Sequence, residues 1–554
     1  MNTHTPFFKL TLKSKILYYF IYLLLLCGCK KDSAVDSRVF SSVSYSFDSH
    51  PQKASYYDVT LHPQISFQFS HAVDRQSVEQ GIILATSTGN LPLQYSFLNH
   101  DSTVVAQPIS DLKYWTSYSV GITPELTSSN QKKIQSYTTF KIVTLVNPAP
   151  KLPLISDDEL LTKVQQQTFK YFYDFAHPAS GMARERNSSG STITTGGTGF
   201  GIMALIEGME RGFITRRQGL DHITKIISFL ETADRFHGAW GHWMNGNTGK
   251  IIPFSANDNG GDLVETSFLV QGLIAFRQYM NTNNPAEKTI IDRINVLWES
   301  VEWDWYRKDN SNVLYWHWSP DKAWIMNFAL SGYFEEQITY ILAAASPTHS
   351  IPKSVYENGF CRNGAIVSPS THYGFTIPTA GLFPLFWVHY SYLGMNPHFK
   401  DDYINYWEQG VNASLANHAY CSANPKGFGG YSDECWGLTA SDNPTGYSAQ
   451  SPGNDNGTIT PTAALSSFPY TPTESMKALK FFYYTMGDRL WGDYGFYDAF
   501  SISKGWQANS TLAIDQGPIV VMIENYRTGK IWDLFMSAPE VEVAMTKLNL
   551  VKTN

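Results

Sequence analysis

The sequence predicts a mainly helical protein, an (α/α)6 toroid preceded by a β-sandwich, and three observations carry that prediction. Short alternating strands fill about a hundred residues behind an N-terminal leader. A Pro-rich connector, Val146-Asn-Pro-Ala-Pro-Lys-Leu-Pro153, then separates this part from the rest. From Ser156 onward, six glycine-rich or polar loops each open into an apolar helix with small residues, and amphipathic helices alternate with them. Helices that are apolar nearly all round belong inside a fold, so six of them alternating with amphipathic ones give the arithmetic of a double ring.

The leader comes first. Lys9, Lys13 and Lys15 precede an apolar run, Ile16 to Leu26. A bilayer-spanning helix needs roughly 20 residues, so this run reads as a secretory signal. It ends Leu26-Cys27-Gly28-Cys29, which resembles a bacterial lipobox. The resemblance implies a signal peptide over 1–28, acylation of Cys29, a polar tether over 29–38, and a lipid anchor in the outer membrane. The face, periplasmic or external, stays open.

Residues 39–146 are expected to form the sandwich. Pro63-Gln-Ile-Ser-Phe-Gln-Phe-Ser70 alternates apolar and polar with period two, as do Leu91–Phe97, Thr103–Ala106, Ser117–Ile122 and Tyr137–Val143. Turn clusters at Ser87–Asn90 and Asn99–Ser102 separate them. The segment Ser70-His-Ala-Val-Asp-Arg-Gln-Ser-Val78 resembles bacterial Ig-like domains, which implies a spacer or packing partner; Trp115 is its lone Trp.

Residues 147–155 form the semi-rigid linker. The helical domain, 156–554, opens on a capping box, Ser156 with Glu159. The six inner blocks are Gly197–Leu205, Val264–Phe276, Phe334–Ala345, Ala380–Val388, Thr458–Leu465 and Asp515–Ile523, with Leu220–Asp234 and Ile290–Glu302 among the outer helices.

Composition narrows the chemistry. The 554 residues carry a net charge of −7, which argues against nucleic acid as a partner. Charged residues are 16% and aromatics 14%, a balance suited to a neutral ligand with flat apolar faces, such as a sugar. The five cysteines, Cys27, Cys29, Cys361, Cys421 and Cys435, include no C-x-x-C pair, so no metal centre or cofactor is expected. A bridge between Cys421 and Cys435 stays open. P-loop, G-x-S-x-G and H-E-x-x-H motifs are missing from the sequence.

In a helical toroid the loops entering the inner helices line one mouth, so their acids are the candidates. Asp258, Asp262 and Glu265 sit together with two glycines. Asp262 and Glu265 share a face if both start a helix, although the same spacing also describes a simple cap. Glu335 and Glu336 open the next block and must point different ways. Asp515 opens the last. Trp243, Trp318 and Trp436 are the indoles expected to stack on sugar. Glycoside hydrolysis needs one carboxyl kept protonated and another that activates water or attacks carbon, and this inventory fits it. A lyase built on His177, His237, His242, His372 or Tyr373 is the competing chemistry.

Four segments, Gly196–Ile202, Asp258–Phe268, Leu342–His349 and Asp515–Gly529, resemble the glycoamylase-like domain, glycoside hydrolase family 144. The resemblance runs over roughly Ser156 to Leu550. It implies endo-hydrolysis of linear β-1,2-glucan to sophoro-oligosaccharides with inversion. It places the family's acids on Asp258, Asp262, Glu265 and Glu335, with Glu335 as general acid and Asp262 or Glu265 in the base or water-positioning group. Asp258, Asp515 and the three indoles are then substrate contacts. Phe334 departs from the Asn that the family carries before its acid, which keeps a non-catalytic glucan-binding lipoprotein, or a hydrolase or lyase of another polysaccharide, as the alternatives.

Overall fold

The computed structural model describes residues 39–553, so the signal segment, the tether and Cys29 lie outside the described residues. The described chain divides into two compact units. One comprises residues 39–55, Thr60–Leu112 and Ser117–Ile142, and the other holds Tyr56–Val59, Lys113–Thr116 and everything from Val143.

The strand-rich part carries nine strands. β1 is Ser42–Phe47, β2 Ser55–Val59, β3 Ile65–Phe69, β4 Ile82–Thr86, β5 Gly89–Asn90, β6 Leu93–Leu98, β7 Thr103–Pro108, β8 Ser117–Ile122 and β9 Thr139–Thr144. They form a four-stranded sheet, β1-β3-β7-β6, and a five-stranded one, β2-β9-β8-β4-β5. In β3 the alternation predicted from sequence becomes physical: Ile65, Phe67 and Phe69 are buried, while Gln68 between the last two is exposed.

The larger unit is helical. Ser156 and Glu159 make the reciprocal capping box that opens the Asp157–Tyr173 helix. The Thr195–Glu210 helix, buried along nearly its whole length, packs between the Leu263–Tyr279 and Ala513–Thr528 helices. Its crossing with the Leu263 helix is so close that a Cβ on Gly199 would stand 2.1 Å from the Phe268 carbonyl, and one on Gly272 2.2 Å from the Gly199 carbonyl. Only glycines allow that backbone contact. The Gln337–Ala345 helix packs on the Leu263 helix, and Pro461–Leu465 on the Ala513 helix.

Two features differ from expectation. The amphipathic helices run Arg216–Leu230 and Pro285–Glu299, each starting about a turn earlier than the apolar pattern suggests. Thr215, with a Gln218 capping box, and Asn284, followed by Pro285, set those starts. The Ala380–Val388 block forms no α-helix: it is a pair of 3₁₀ turns, Leu385–Val388 and Tyr390–Tyr392, entered through extended Pro384. Proline disfavours helical backbone before it and supplies no N–H. Cys361, Cys421 and Cys435 are buried free thiols, so Cys421 and Cys435 are unbridged.

Candidate active site

Two short antiparallel pairings bring the site together. Gly261–Asp262 pairs with His317–Trp318, which sets Trp316 beside the start of the Leu263 helix. Thr192–Thr194 pairs with Trp243–Asn245, which sets His242 beside the start of the Thr195 helix. Between them lies a cleft of about 390 Å³ whose walls include Trp243, Phe254, Trp316, Phe386, Tyr390 and Tyr447, and whose carboxyls are Glu185, Glu265 and Glu335. A few polar groups converging in an aromatic cleft of this size is the usual make-up of a small-ligand site.

Glu335 is half-buried just ahead of the Gln337 helix. Burial pushes its carboxyl up to about 8, and the nearby charges of Glu265 and Asp262 add to the rise. Its neighbour Glu336 is wholly buried and also held protonated, by burial and then by Glu335. It neither caps the helix with its side chain nor meets solvent.

Asp262 is fully engaged. Its Oδ1 accepts the N–H groups of Val264 (3.0 Å) and Glu265 (2.9 Å), capping the Leu263 helix. Its Oδ2 accepts the Trp316 indole N–H at 2.8 Å and the His242 Nδ1–H at 3.0 Å. The side chain is 0% exposed and lines no part of the cleft. So engaged, Asp262 fixes His242, Trp316 and the helix start, and of the two acids expected in the base or water-positioning group Glu265 is the one that lines the cleft. The capping reading of the Asp262–Glu265 spacing describes Asp262 well.

Glu265 keeps one oxygen for chemistry. Oε2 accepts from the Gly196 N–H at 2.7 Å and from the Thr194 hydroxyl at 3.4 Å, while Oε1 stands 4.0 Å from His242 Nε2. The approach to Gly196 requires glycine, since a Cβ there would sit 2.7 Å from Oε2. Burial raises the Glu265 carboxyl, opposed by His242. His242 itself resists burial: Glu265 and Asp262 lift it to about 9, so it is an imidazolium at neutral pH. Its ring stacks on Phe254, 4.2 Å away, and meets Trp243 edge-on at 5.8 Å.

Asp258 is buried beside this group, 3.8 Å from His317 Nε2, and is pushed up to about 7 by burial and by Asp262. His242, Asp258 and Asp262 bring ligand atoms within 4.8 Å of one another, a spacing a cation could use. The His242 Nδ1–H bond to Asp262 opposes that use, because a protonated nitrogen has no lone pair to give.

The remaining expected contacts scatter. Trp243 lines the cleft. Trp318 stands outside the cleft lining, edge-on to His237 at 4.8 Å and to Trp305 at 6.0 Å. Trp436 is 0% exposed, and its indole donates to the Glu474 carbonyl at 3.2 Å, which leaves no face for a sugar. Asp515 is also buried and held protonated, by burial and then by its neighbour Asp498. Asp498 accepts the Asp442 N–H at 2.6 Å, and Asp442 in turn receives Arg186 at 3.1 Å. Arg186 also clamps Glu185 (2.9 and 3.0 Å), so Asp515 reaches the cleft only through this network. Sequence reasoning missed Tyr390, Tyr447 and the Glu185–Arg186 pair, and raised His242 only as a lyase base. The run Trp240-Gly-His-Trp243 upstream of the acids was the one available signal for His242.

The glycoamylase family model, described as "Putative glucoamylase", matches residues 327–539, and a bacterial Ig-like domain model matches 47–144. An exo β-1,2-glucooligosaccharide sophorohydrolase (non-reducing end) from Parabacteroides distasonis is 44% identical over 452 residues, 77% of this chain and 61% of the relative. The chain thus spans about three fifths of the length of that curated relative. The endo-β-1,2-glucanase of Chitinophaga pinensis, solved with sophorotriose and glucose, is 52% identical over 72% of this chain and 99% of that one, with a TM-score of 0.70. A β-1,2-glucanase from Parabacteroides distasonis is 37% identical over 92% of this chain and 73% of that one, with a TM-score of 0.69. The chain therefore belongs to the glycoamylase-like family, glycoside hydrolase family 144, and carries a bacterial Ig-like domain in front.

Proposed function

We propose that the protein hydrolyses β-1,2-glucan, with Glu335 as the general acid. The observation that carries this reading is Glu335 itself: a cleft-facing carboxyl lifted to about 8, across a site that also holds a carboxylate and an imidazolium. Glycosidic cleavage needs a proton delivered to the leaving oxygen at neutral pH, and an ordinary glutamate has already lost its proton there. Glu265, with one anchored oxygen and one facing the cleft, is the carboxylate suited to hold the attacking water. His242 offsets its charge, and Asp262 fixes both His242 and Trp316. Inversion, which needs room for that water between the two carboxyls, is part of the reading.

The same reading takes the helices as an (α/α)6 toroid, with the cleft at the mouth where the inner helices begin. It takes the substrate chain to pass through the cleft and be cut internally, as the name of the Chitinophaga enzyme describes for that protein. A second reading, release of sophorose from the non-reducing end, is favoured by the name of the 44% identical relative. It also takes Cys29 as a lipid anchor at the outer membrane.

Linear β-1,2-glucan incubated with the purified protein, and sampled before one tenth is consumed, separates these readings. A spread of short oligomers with a steep fall in mean chain length supports internal cleavage. Sophorose alone from the first sample supports the exo reading. Binding with no new reducing ends returns the protein to the class of glucan-binding lipoproteins.

A further inference from the structure

Three rings beside the proton donor make a surface that catalysis at Glu335 does not itself require. Trp316 and Phe334 lie parallel to within 9°, with centroids 6.2 Å apart. Phe328 stands at 85° to the first and 88° to the second, at 5.5 and 6.2 Å. Two parallel rings thus meet a third that stands upright to both. The cluster is held rigidly: the Trp316 indole donates to Asp262, and Trp387 packs against Phe334 at 6.0 Å. Yet Phe328 leaves 48% of its surface in water. Trp316 also lines the cleft, so the ring cluster and the cleft are continuous, and Phe334 directly precedes Glu335.

We propose that Trp316, Phe334 and Phe328 form a subsite for one further glucosyl unit of the chain being cut, outside the enclosed cleft. This rests on the reading of the protein as a β-1,2-glucan hydrolase. A pyranose offers a C–H face that a ring can desolvate, and its hydroxyls stay turned to water, so an open aromatic corner with the Phe328 ring half in water suits it better than a closed pocket. Rings already ordered by packing lose little freedom when the sugar arrives. A protein partner fits poorly, because a stable interface buries about 800 Å² on each side and even fully buried aromatic rings supply about 150–250 Å² apiece. The subsite engages only chains long enough to leave the cleft on this side. It therefore favours the polymer over short products and helps spent oligomers dissociate.

The test uses the full chain carrying Glu335→Gln, so that ligand is bound and not consumed, with and without Phe328→Ala. Linear β-1,2-glucan and sophorose are titrated by tryptophan fluorescence. The ratio of polymer to sophorose affinity is expected to fall about tenfold with Phe328→Ala, the factor that follows from burying half a phenyl ring. An unchanged ratio, whether both affinities fall together or neither moves, overturns the subsite. A Glu335→Gln parent that binds no β-1,2-glucan sinks the functional reading as well. Phe328 is half in water, so its removal does not threaten the fold; circular dichroism checks this.

Discussion

Replacement of Glu335 by Gln tests the central chemical claim most directly. With its carboxyl near 8, roughly nine tenths of the molecules carry the proton at pH 7, against about three in a thousand for a glutamate at its ordinary value. The acid form is the active one, so kcat/KM should hold through neutrality and fall as pH rises through about 8. Gln keeps the size of the side chain and cannot deliver a proton. We expect Glu335→Gln to lower kcat on linear β-1,2-glucan by about 10²–10⁴, the usual contribution of a positioned acid, and to abolish the alkaline limb near 8. A substrate with a good aryl leaving group needs little protonation and should recover most of the loss. The assay is reducing-end release from pH 5 to 9.5 for both proteins, with near-UV circular dichroism to confirm the fold. The reasoning fails if the variant keeps an alkaline limb at the parental pH, because the titrating group would then be another residue. It fails equally if the aryl substrate is as slow as the glucan.

Two further outcomes follow from the geometry. Asp262→Asn keeps an N-cap of equal quality, so the fold should persist, but it removes the negative charge beside His242. The imidazole, lifted to about 9 in the parent, should then titrate at lower pH in nitrogen-detected NMR; an unmoved titration would show that Asp262 does not hold it. Trp436→Ala should cost about 3–5 kcal/mol in chemical denaturation because it empties a core position, whereas Trp243→Ala should spare stability and raise KM severalfold. Equal stability losses in the two would contradict the placement of Trp243 at the cleft.

Much of the architecture was legible because it is written in local patterns. The Ser156–Glu159 box and the alternation through Ile65–Phe69 need only a few neighbouring residues to declare themselves. The buried helices declared themselves by having no polar face. Starts of the amphipathic helices were misplaced because Thr215 and Asn284 act before the apolar pattern begins. The site was only half legible for a different reason. Acids at loop–helix junctions can be listed from sequence, but their roles depend on what folds against them. Asp262 meets Trp316 from 54 residues away and His242 from 20. Glu265 meets Gly196 from 69. Nothing local distinguishes Trp243 from Trp436, or Glu335 from Glu336; one of each pair faces the cleft and the other is sealed in the core.

The long-range contacts of Asp262 also bear on the charge of its neighbour His242. His242 keeps its proton because two carboxylates face it, and one of these, Asp262, is locked in place by two backbone N–H groups and an indole. Against the cost of burial, Glu265 and then Asp262 lift the imidazole to about 9. At neutral pH the cleft therefore holds the Glu335 proton and the His242 cation together. Glu265 then has a counter-charge beside it while Glu335 is protonated, and Asp262, which lines no part of the cleft, helps to keep that counter-charge in place.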